Sequence, residues 1–290
     1  MIHFIFFLYL LNIIKSGFLN QNPIFDYSHS KNEPLNILAG SLSSLKAIIP
    51  FDYRKLQICS PQKYEKAERF PDMVKSINKF VEMDPKLTKE ERNLLSAGYK
   101  NIISDKRSSW RLLNNMERKE EEKKNTTQSA YIKEIKDKIE TELNQICAQI
   151  QSVIDKYLIP NATDVENKVF YLKLKADYYR YKCEFANGKE FDEACDNAEK
   201  VYKEAYELSN KEMPITNSTR LGLDLNFSVF YYEIKGLKEE ACTIAKNAFD
   251  ESMKSLDDLE KSKAKDTLLI IQLLKENLIL WTNEMNGEEE

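Results

Sequence analysis

The chain has 290 residues, a formal net charge of −4, and a content of 42% apolar and 31% charged residues. This balance excludes general disorder, and a chain without net positive charge is not expected to bind nucleic acid over its whole surface. Only 7 Gly and 8 Pro interrupt long stretches rich in Lys, Glu, Leu, Asn and Ala, which favours helices over many short strands.

Residues 1–52 are predicted to form an N-terminal extension, made of an apolar leader and a flexible segment. The run 1–14 (MIHFIFFLYLLNII) is almost entirely apolar, but it is shorter than the roughly 20 residues that a membrane-spanning helix requires. No Lys or Arg precedes the run, and no clear small-x-small cleavage site follows it. A signal peptide, a short anchor and a wrongly assigned start all remain open, and membrane contact is expected only if the leader is retained.

Five cysteines are dispersed along the chain without a C-x-x-C pair: Cys59, Cys147, Cys183, Cys195 and Cys242. An odd, scattered set in a long chain is typical of reduced thiols and predicts a cytoplasmic protein. One Asn-x-Ser/Thr sequon lies at Asn226, where a glycan would cover the helix face assigned below to ligand binding. The position of this sequon argues against secretion.

Helical periodicity begins at Tyr53, and Pro61 is expected either to start the first helix at Gln62 or to break it. The next helices are predicted at 71–83 and 88–120. The second of these begins with Thr88-Lys-Glu-Glu, the spacing of a capping box, in which the Thr88 hydroxyl caps the helix and the carboxylate of Glu91, three residues on, reaches back. The polar run 120–128 (EEEKKNTTQ) is predicted to be a loop.

The remaining predicted helices are separated by short segments that contain Pro, Gly or Asn: 129–158, 164–186, 190–211, 218–234, 238–255 and 262–281. The fold class is therefore all-α, a single bundle of about nine antiparallel helices at residues 53–283, with an acidic tail at 284–290. No internal period of roughly 33–47 residues repeats, which weighs against a helical repeat array.

Two predicted helices carry a Lys followed seven positions later by an Arg, namely Lys100 with Arg107 and Lys173 with Arg180. Seven residues are close to two helical turns, so each pair lies on one face of its helix. If the faces converge, bidentate guanidinium groups and ammonium charges surround a site suited to phosphate, and Tyr181 could add a hydroxyl donor. Solvated surface charges without a ligand are the alternative that spacing alone leaves open.

Two further helices carry an Asn with aliphatic neighbours on one stripe. The first stripe, with Leu225 beside it, is Gly222, Asn226, Val229 and Glu233, and the second is Ile270, Leu273, Asn277 and Trp281. Such amides can hydrogen-bond an extended peptide backbone while the apolar residues contact its side chains. Core packing around two satisfied amides is the alternative.

Signals for catalysis are poor. The only histidines, His3 and His29, lie in the N-terminal extension, far from any cysteine or serine of the helical domain. The chain has no Gly-rich phosphate loop and no Cys/His cluster with metal-ligand spacing. We therefore expect no enzymatic activity, no cofactor and no metal.

Several segments of the chain resemble the 14-3-3 family in order and spacing. The most specific are residues 90–111 (EERNLLSAGYKNIISDKRSSWR), 168–181 (KVFYLKLKADYYRY), 220–233 (RLGLDLNFSVFYYE) and 266–281 (DTLLIIQLLKENLILW), with shorter matches at 138–143 (KIETEL) and 248–251 (AFDE). The resemblance extends over about residues 63–283.

The resemblance implies a horseshoe of nine antiparallel helices that is usually dimeric and has a peptide-binding groove in each protomer. It assigns phosphate binding to Arg107, Arg180 and Tyr181, with Lys100 assisting. Asn226 and Asn277 match residues that bind the peptide main chain. The other groove positions are Lys173, Gly222, Leu225, Val229, Glu233, Ile270, Leu273 and Trp281.

The resemblance also identifies an expected dimer interface, where Arg69, Asp72, Lys138 and Glu142 match residues of inter-subunit ion pairs. The chain departs from the family pattern at Pro61, at Lys63 in place of leucine and at Ile135 in place of tyrosine, so we expect a dimer that is weakened. Elsewhere Lys106 replaces an arginine and Asp224 replaces a small residue.

The sequence thus predicts an adaptor that binds phosphoserine or phosphothreonine segments of client proteins and so regulates them. It is expected to form a homodimer or a heterodimer with similar chains, and to bind no nucleic acid. The alternative is a scaffold of the same fold with an altered dimer or impaired phosphopeptide binding. The acidic tail, as a further hypothesis, competes weakly for the basic groove.

Overall fold

The computed structural model describes residues 53–255 and 261–287, and this part of the chain contains nine α-helices and no strand. The first four are α1 (Tyr53–Lys66), α2 (Phe70–Met83), α3 (Lys89–Glu122) and α4 (Thr126–Val153). The others are α5 (Val165–Phe185), α6 (Gly188–Glu212), α7 (Ser218–Val229), α8 (Lys238–Lys254) and α9 (Lys261–Gly287). A π-helical turn (Ile154–Leu158) and a 3-10 turn (Ile159–Asn161) extend α4, and a second π-helical turn (Phe230–Lys235) extends α7. The all-α prediction of about nine helices is confirmed.

Helix α1 continues through Pro61, so the prediction that this proline starts or breaks the first helix is wrong. Proline removes one backbone hydrogen bond from a helix and its ring crowds the preceding turn. The ring of Pro61 is buried, and removing this apolar surface from water offsets part of that cost.

The polar run 120–128 is mostly helical, so the prediction of a loop there is also wrong. Helix α3 continues to Glu122 and α4 begins at Thr126. Glu and Lys are strong helix formers, and a polar composition alone therefore does not mark a loop. The connection needs only three residues because Lys124 adopts the left-handed conformation, with φ of 60°. Helix α9 likewise extends past its predicted end, to Gly287.

Side chains cap the starts of three helices that carry predicted ligand residues. The capping box of α3 is confirmed, since Thr88 Oγ1 accepts from the backbone N–H of Glu91 at 3.3 Å and Glu91 accepts from the N–H of Thr88 at 2.8 Å. Asp164 accepts from the backbone N–H of Asn167 at 2.7 Å and caps α5. Asn217 caps α7 in the same way. These caps satisfy backbone donors that have no partner within the helix and define where each helix begins.

Two clusters of buried apolar side chains form the core, and α5 contributes to both. One cluster combines α5 with α2, α3 and α4, and includes Tyr171 and Tyr178. The other combines α5 with α6, α7, α8 and α9, and includes Val169 and Ala176. Because α5 is packed on both sides, the basic side chains that it carries have little freedom to move away from their neighbours.

Among residues 53–255 and 261–287, no helix combines the length and the apolar character that a membrane crossing requires. Cys147, Cys183, Cys195 and Cys242 are not joined in disulfides. The predictions for residues 1–52, including His3 and His29, and for the last three residues of the tail lie outside the described residues.

Candidate functional site

Helices α3 and α5 bring the two predicted phosphate-binding arginines against one aromatic ring. The guanidinium carbon of Arg107 lies 3.9 Å from the centroid of the Tyr181 ring, and that of Arg180 lies 4.8 Å from it. The two cations therefore share the π system of a half-buried tyrosine, which attracts each of them. Both arginines and the tyrosine thus lie in one cluster, an arrangement that the spacing of the basic pairs alone had left open.

Arg107 is oriented by Glu184, a residue of α5. Arg107 Nε donates to Glu184 Oε2 at 2.8 Å, and Arg107 Nη2 donates to Glu184 Oε1, so the pair is bidentate. Arg111 Nη2 contacts the same carboxylate at 3.1 Å. One carboxylate thus serves two guanidinium groups, and these three side chains together keep a net positive charge. Lys100 lies about two turns before Arg107 on the same face of α3, is exposed and adds to this charge.

Asp177 of α5 is buried and contacts three of the predicted ligand residues. It accepts hydrogen bonds from Lys173 Nζ at 2.8 Å and from Asn226 Nδ2 at 2.8 Å, and it lies 3.9 Å from Arg180 Nη2. The hydroxyl of Tyr202 on α6 also donates to it. Burial by itself raises the pKa of Asp177, but Lys173 and Arg180 together lower it below the ordinary value. The carboxylate therefore stays ionised and fixes the side chains around it.

Helices α5, α7 and α9 meet at Gly222. A Cβ atom built there would lie 3.7 Å from Lys173 Cε and 3.9 Å from Ile270 Cδ1. These are ordinary contact distances, so space alone does not demand glycine at this position. A methyl group would nevertheless narrow the gap between the basic side of α5 and the apolar side of α9.

The residues of the two predicted stripes differ in their exposure to solvent. Leu225, Val229, Ile270 and Asn277 are half-buried, Leu273 is 39% exposed, and Glu233 is exposed. Trp281 is only 4% exposed, and its ring stacks on Tyr232 with centroids 4.5 Å apart. Trp281 therefore holds α9 against the π-helical turn after α7, which is a packing role whether or not its indole also reaches a ligand.

Comparison with known sequences decides the family. A model described as 14-3-3 protein matches residues 61–282, most of the chain. The chain belongs to the 14-3-3 family. The 14-3-3 protein beta/alpha of Xenopus tropicalis is 50% identical over 225 residues, which cover 78% of this chain and 91% of that protein. The Homo sapiens protein of the same name is 49% identical with the same coverage. The 14-3-3-like protein B of Vicia faba is 50% identical over 227 residues, with 78% and 87% covered.

Membership in the 14-3-3 family supports a general role as a phosphopeptide-binding adaptor. It also confirms the prediction that the chain is not an enzyme, because 14-3-3 proteins are non-enzymatic adaptors. Among the residues that the structure describes, no group of His, Cys, Asp and Glu side chains could hold a metal ion.

Sequence reasoning missed the carboxylates that orient the basic cluster of this 14-3-3 chain. Asp177 follows Lys173 by four positions and precedes Arg180 by three, and Glu184 follows Arg180 by four. These spacings place them beside the basic residues on α5. The signal was visible, but many acidic residues of the chain have similar spacings, and only the folded structure shows that Asp177 is buried.

Two exposed leucines of α9 were also missed. Leu269 and Leu280 are 58% and 54% exposed, and they lie four residues before and seven residues after Leu273. This spacing places them on the face of α9 that carries Leu273 and Asn277. Their helical spacing relative to Leu273 was the signal that the sequence offered for placing them on this face.

The four predicted dimer residues are exposed or half-buried, and each has an ion-pair partner within the chain. Arg69 Nε donates to Asp72 Oδ2 at 2.6 Å, Lys138 Nζ lies 2.8 Å from Glu134 Oε1, and Glu142 pairs with Lys106. Exposed pairs of this kind contribute little to stability and can exchange partners. Inter-subunit pairing of these residues stays a prediction.

Three large apolar side chains of α3 and α4 are exposed, and we call them the apolar patch. They are Leu112, Met116 and Tyr131, which are 62%, 43% and 68% exposed. On α4, Tyr131 shares one helical stripe with Lys138 and Glu142, since the three positions are seven and four residues apart. Tyr131 therefore lies on the face of α4 that carries two of the predicted dimer residues.

Proposed function

We propose that the groove lined by α3, α5, α7 and α9 binds phosphoserine or phosphothreonine segments of client proteins and thereby regulates the clients. The observation that carries the proposal is the arrangement of Arg107 and Arg180 on the ring of Tyr181. Each arginine contacts a carboxylate of α5, Arg107 that of Glu184 and Arg180 that of Asp177. Lys100 completes the site as an exposed fourth donor.

Discrimination of a phosphorylated residue follows from charge and geometry. A phosphoserine carries about −1.5 to −2 charges and three strong acceptor oxygens. Planar guanidinium groups match such oxygens bidentately, and Glu184 holds Arg107 in position before the ligand arrives. Less side-chain entropy is then lost on binding than with free arginines. An unmodified serine offers no charge to these donors and is expected to bind far more weakly.

The rest of the groove is proposed to hold the peptide on either side of the phosphate. Asn226 and Asn277 hydrogen-bond its main chain, and Lys173 stands between the phosphate site and Gly222. Side chains of the peptide pack against the apolar residues Leu225, Val229, Ile270 and Leu273, to which we add Leu269 and Leu280. Glu233 and Trp281 are assigned to the polar end of the groove.

The substitution Arg107→Ala tests the phosphate site with little disturbance of the fold, because Arg111 remains as a partner of Glu184. We expect the affinity for a phosphoserine peptide, measured by fluorescence anisotropy, to fall about 30-fold or more, since a charged hydrogen-bonded pair contributes roughly 2–5 kcal/mol. Arg118→Ala is the matched control, because it removes the same charge from an exposed position of α3. Equal affinities of the two variants would refute the assignment.

We further propose that the protein acts as a homodimer or as a heterodimer with a similar chain, through the patch of Leu112, Met116 and Tyr131 and the four predicted ion-pair residues. The exposure of three large apolar side chains on two neighbouring helices supports this proposal, since large exposed apolar surfaces are typical of interfaces. A cytoplasmic location is proposed on the dispersed, unpaired cysteines.

A second candidate is a scaffold of the same fold with an altered dimer or impaired phosphopeptide binding. It is favoured by Pro61 within α1 and by the pairing of Arg69 and Asp72 within the chain. The binding assay separates the two candidates, because a scaffold of this kind would not distinguish a phosphorylated peptide from its unmodified copy.

A further inference from the structure

A second polar site lies on the side of α7 that faces away from the groove. Asp224 is two residues from both Gly222 and Asn226. Two residues correspond to about 200° around an α-helix, so the Asp224 side chain points away from the groove stripe. It is only 2% exposed.

Asp224 lies in a polar cavity of about 170 Å³ between α6, α7 and α8. The polar side chains that line it are Tyr206, Asn210, Arg220, Asp224, Asn247 and Glu251. Asn210, Asn247 and Glu251 are exposed, whereas Asp224 is buried. The cavity therefore opens to solvent between α6 and α8 and has the carboxylate in its interior.

Two buried polar atoms of the cavity have no hydrogen-bond partner among the described residues. They are Asp224 Oδ1, an acceptor, and Arg220 Nε, a donor. Arg220 is held in place by its other nitrogen, since Nη1 donates to the backbone oxygen of Met213 at 2.7 Å. Buried polar atoms normally have a partner, because leaving one unpaired costs the free energy of its lost hydration. An unpaired acceptor on a residue that lines a cavity therefore indicates a ligand or water at that place.

The charges of the cavity select the class of ligand. Asp224 and Glu251 are acidic and Arg220 is basic, so the ionised cavity has a net charge of −1. The amides of Asn210 and Asn247 and the hydroxyl of Tyr206 provide further acceptors. Because these neutral groups can donate as well as accept, the net charge decides, and it favours a cation that donates several hydrogen bonds. A group of this kind is small enough for the cavity and can satisfy Asp224 Oδ1.

We propose that this cavity binds a small cation with N–H donors, an alkylammonium or guanidinium group, through Asp224 and Glu251. Such a group occurs in free amines and at the end of Lys and Arg side chains of partner proteins. The site is separate from the phosphate-binding cluster on α3 and α5, and it does not depend on the proposed function of the groove.

Binding is expected to depend on pH through Asp224. Burial raises the pKa of Asp224 to about 7; Arg220 acts to lower it and Glu251 to raise it. A cation binds the ionised carboxylate, which is the minor form at pH 6 and the major form at pH 8. If only the ionised form binds, the apparent dissociation constant is about tenfold larger at pH 6 than at pH 8.

The test is calorimetric titration of the full chain with methylguanidinium at constant ionic strength. We expect saturable binding at pH 8 and an affinity about tenfold lower at pH 6. Binding should be lost in Asp224→Asn, which keeps the shape of the side chain and removes its charge. Glu207→Gln is the control, because it removes an exposed carboxylate of α6 outside the cavity and should leave binding unchanged. N-acetylarginine methylamide is titrated in parallel. If the natural ligand is a protein side chain, it binds at least as tightly as methylguanidinium. If the natural ligand is a free amine, it binds more weakly than methylguanidinium.

Tetramethylammonium and potassium distinguish N–H donation from charge alone, since neither can donate a hydrogen bond. Binding of either with the same affinity as methylguanidinium would overturn the proposal in favour of a simple ion site. Absence of saturable binding up to roughly 50 mM, or unchanged binding in Asp224→Asn, would mean that the cavity holds only water.

The fold of Asp224→Asn is checked by thermal unfolding, and Asp224→Ala serves as a second variant. Both are expected to bind a phosphoserine peptide like the unmodified chain. Loss of amine binding with normal phosphopeptide binding therefore tests the cavity alone, whatever the result for the groove.

Discussion

Asp177 is the residue on which the geometry of the proposed groove depends most. It lies in the core and contacts Lys173, Asn226 and Arg180, each assigned to ligand binding. None of these contacts involves the ligand, so Asp177 acts through the side chains that it positions. The neighbouring cations lower its pKa despite burial, and the ionised form is therefore the one that stabilises the fold.

The substitution Asp177→Asn is expected to lower the free energy of unfolding by about 3 kcal/mol, because it leaves buried cations without their counter-charge. The folded pKa of Asp177 lies below its unfolded value. Its contribution to stability is therefore complete above the unfolded pKa, near 4, and is lost as the pH falls through the folded pKa. Urea unfolding between pH 7 and pH 2 measures the free energy of unfolding of the unmodified chain and of Asp177→Asn. The difference between these two free energies should become smaller as the pH falls.

Asp192→Asn, at an exposed position of α6, is the control and should change stability by less than about 0.5 kcal/mol at every pH. The account of Asp177 would be contradicted by a stability difference that is independent of pH, since a purely steric effect of the substitution has no proton linkage.

At the scale of single helices, side-chain caps fix where α3, α5 and α7 begin. In α3, Thr88 and Glu91 form the capping box, and Lys100 lies about three turns further along. Thr88→Ala is expected to lower the free energy of unfolding by about 1 kcal/mol, measured by thermal or urea denaturation.

Because a lost cap affects mainly the first turn, the same variant should bind a phosphopeptide with unchanged affinity. Thr141→Ala, an exposed position within α4, is the control and should have a smaller effect. A Thr88→Ala variant as stable as this control would show that the capping box is not important for α3.

The helices could be predicted well from the sequence where their signals are local. Thr88, Asp164 and Asn217 mark helix starts by their side chains alone, and Gly236 follows a helix end in the left-handed conformation, with φ of 66°. Predictions failed where composition misled. Pro61 lies inside α1 because its ring is buried by packing, and the Glu/Lys run after residue 120 stays helical because these residues favour helix.

The site could be predicted only in part, for a physical reason. Face-sharing pairs such as Lys173 and Arg180 follow from helical spacing, and the resemblance supplied the rest. That Arg107 contacts Glu184, 77 positions away, depends on how α3 packs against α5. The periodicity of a single sequence carries no information on such long-range contacts. For the same reason, the sequence could not predict that Asp224 Oδ1 is buried without a hydrogen-bond partner.

At the scale of the whole molecule, the patch of Leu112, Met116 and Tyr131 predicts self-association. Leu112→Glu places a charge in the middle of this apolar surface, so we expect it to shift a dimer at micromolar concentration to monomer, as measured by sedimentation velocity. Each monomer should still bind a phosphopeptide, because all residues of the proposed groove belong to one chain.

Leu237→Glu is the matched control, since Leu237 is 38% exposed and lies just before α8, away from the patch. It should leave the association state unchanged. A purely monomeric unmodified chain at micromolar concentration would show that the proposed dimer does not form and would favour the scaffold alternative.

The most direct test of the central claim is fluorescence anisotropy of one peptide in two forms, with a phosphoserine and with an unmodified serine. The cluster of Arg107, Arg180 and Tyr181 predicts micromolar or tighter binding of the phosphorylated form, at least about 30-fold tighter than the other, since the two peptides differ only in the charged group that this cluster binds. Equal affinities, or no binding of either form, would contradict the proposed phosphopeptide site.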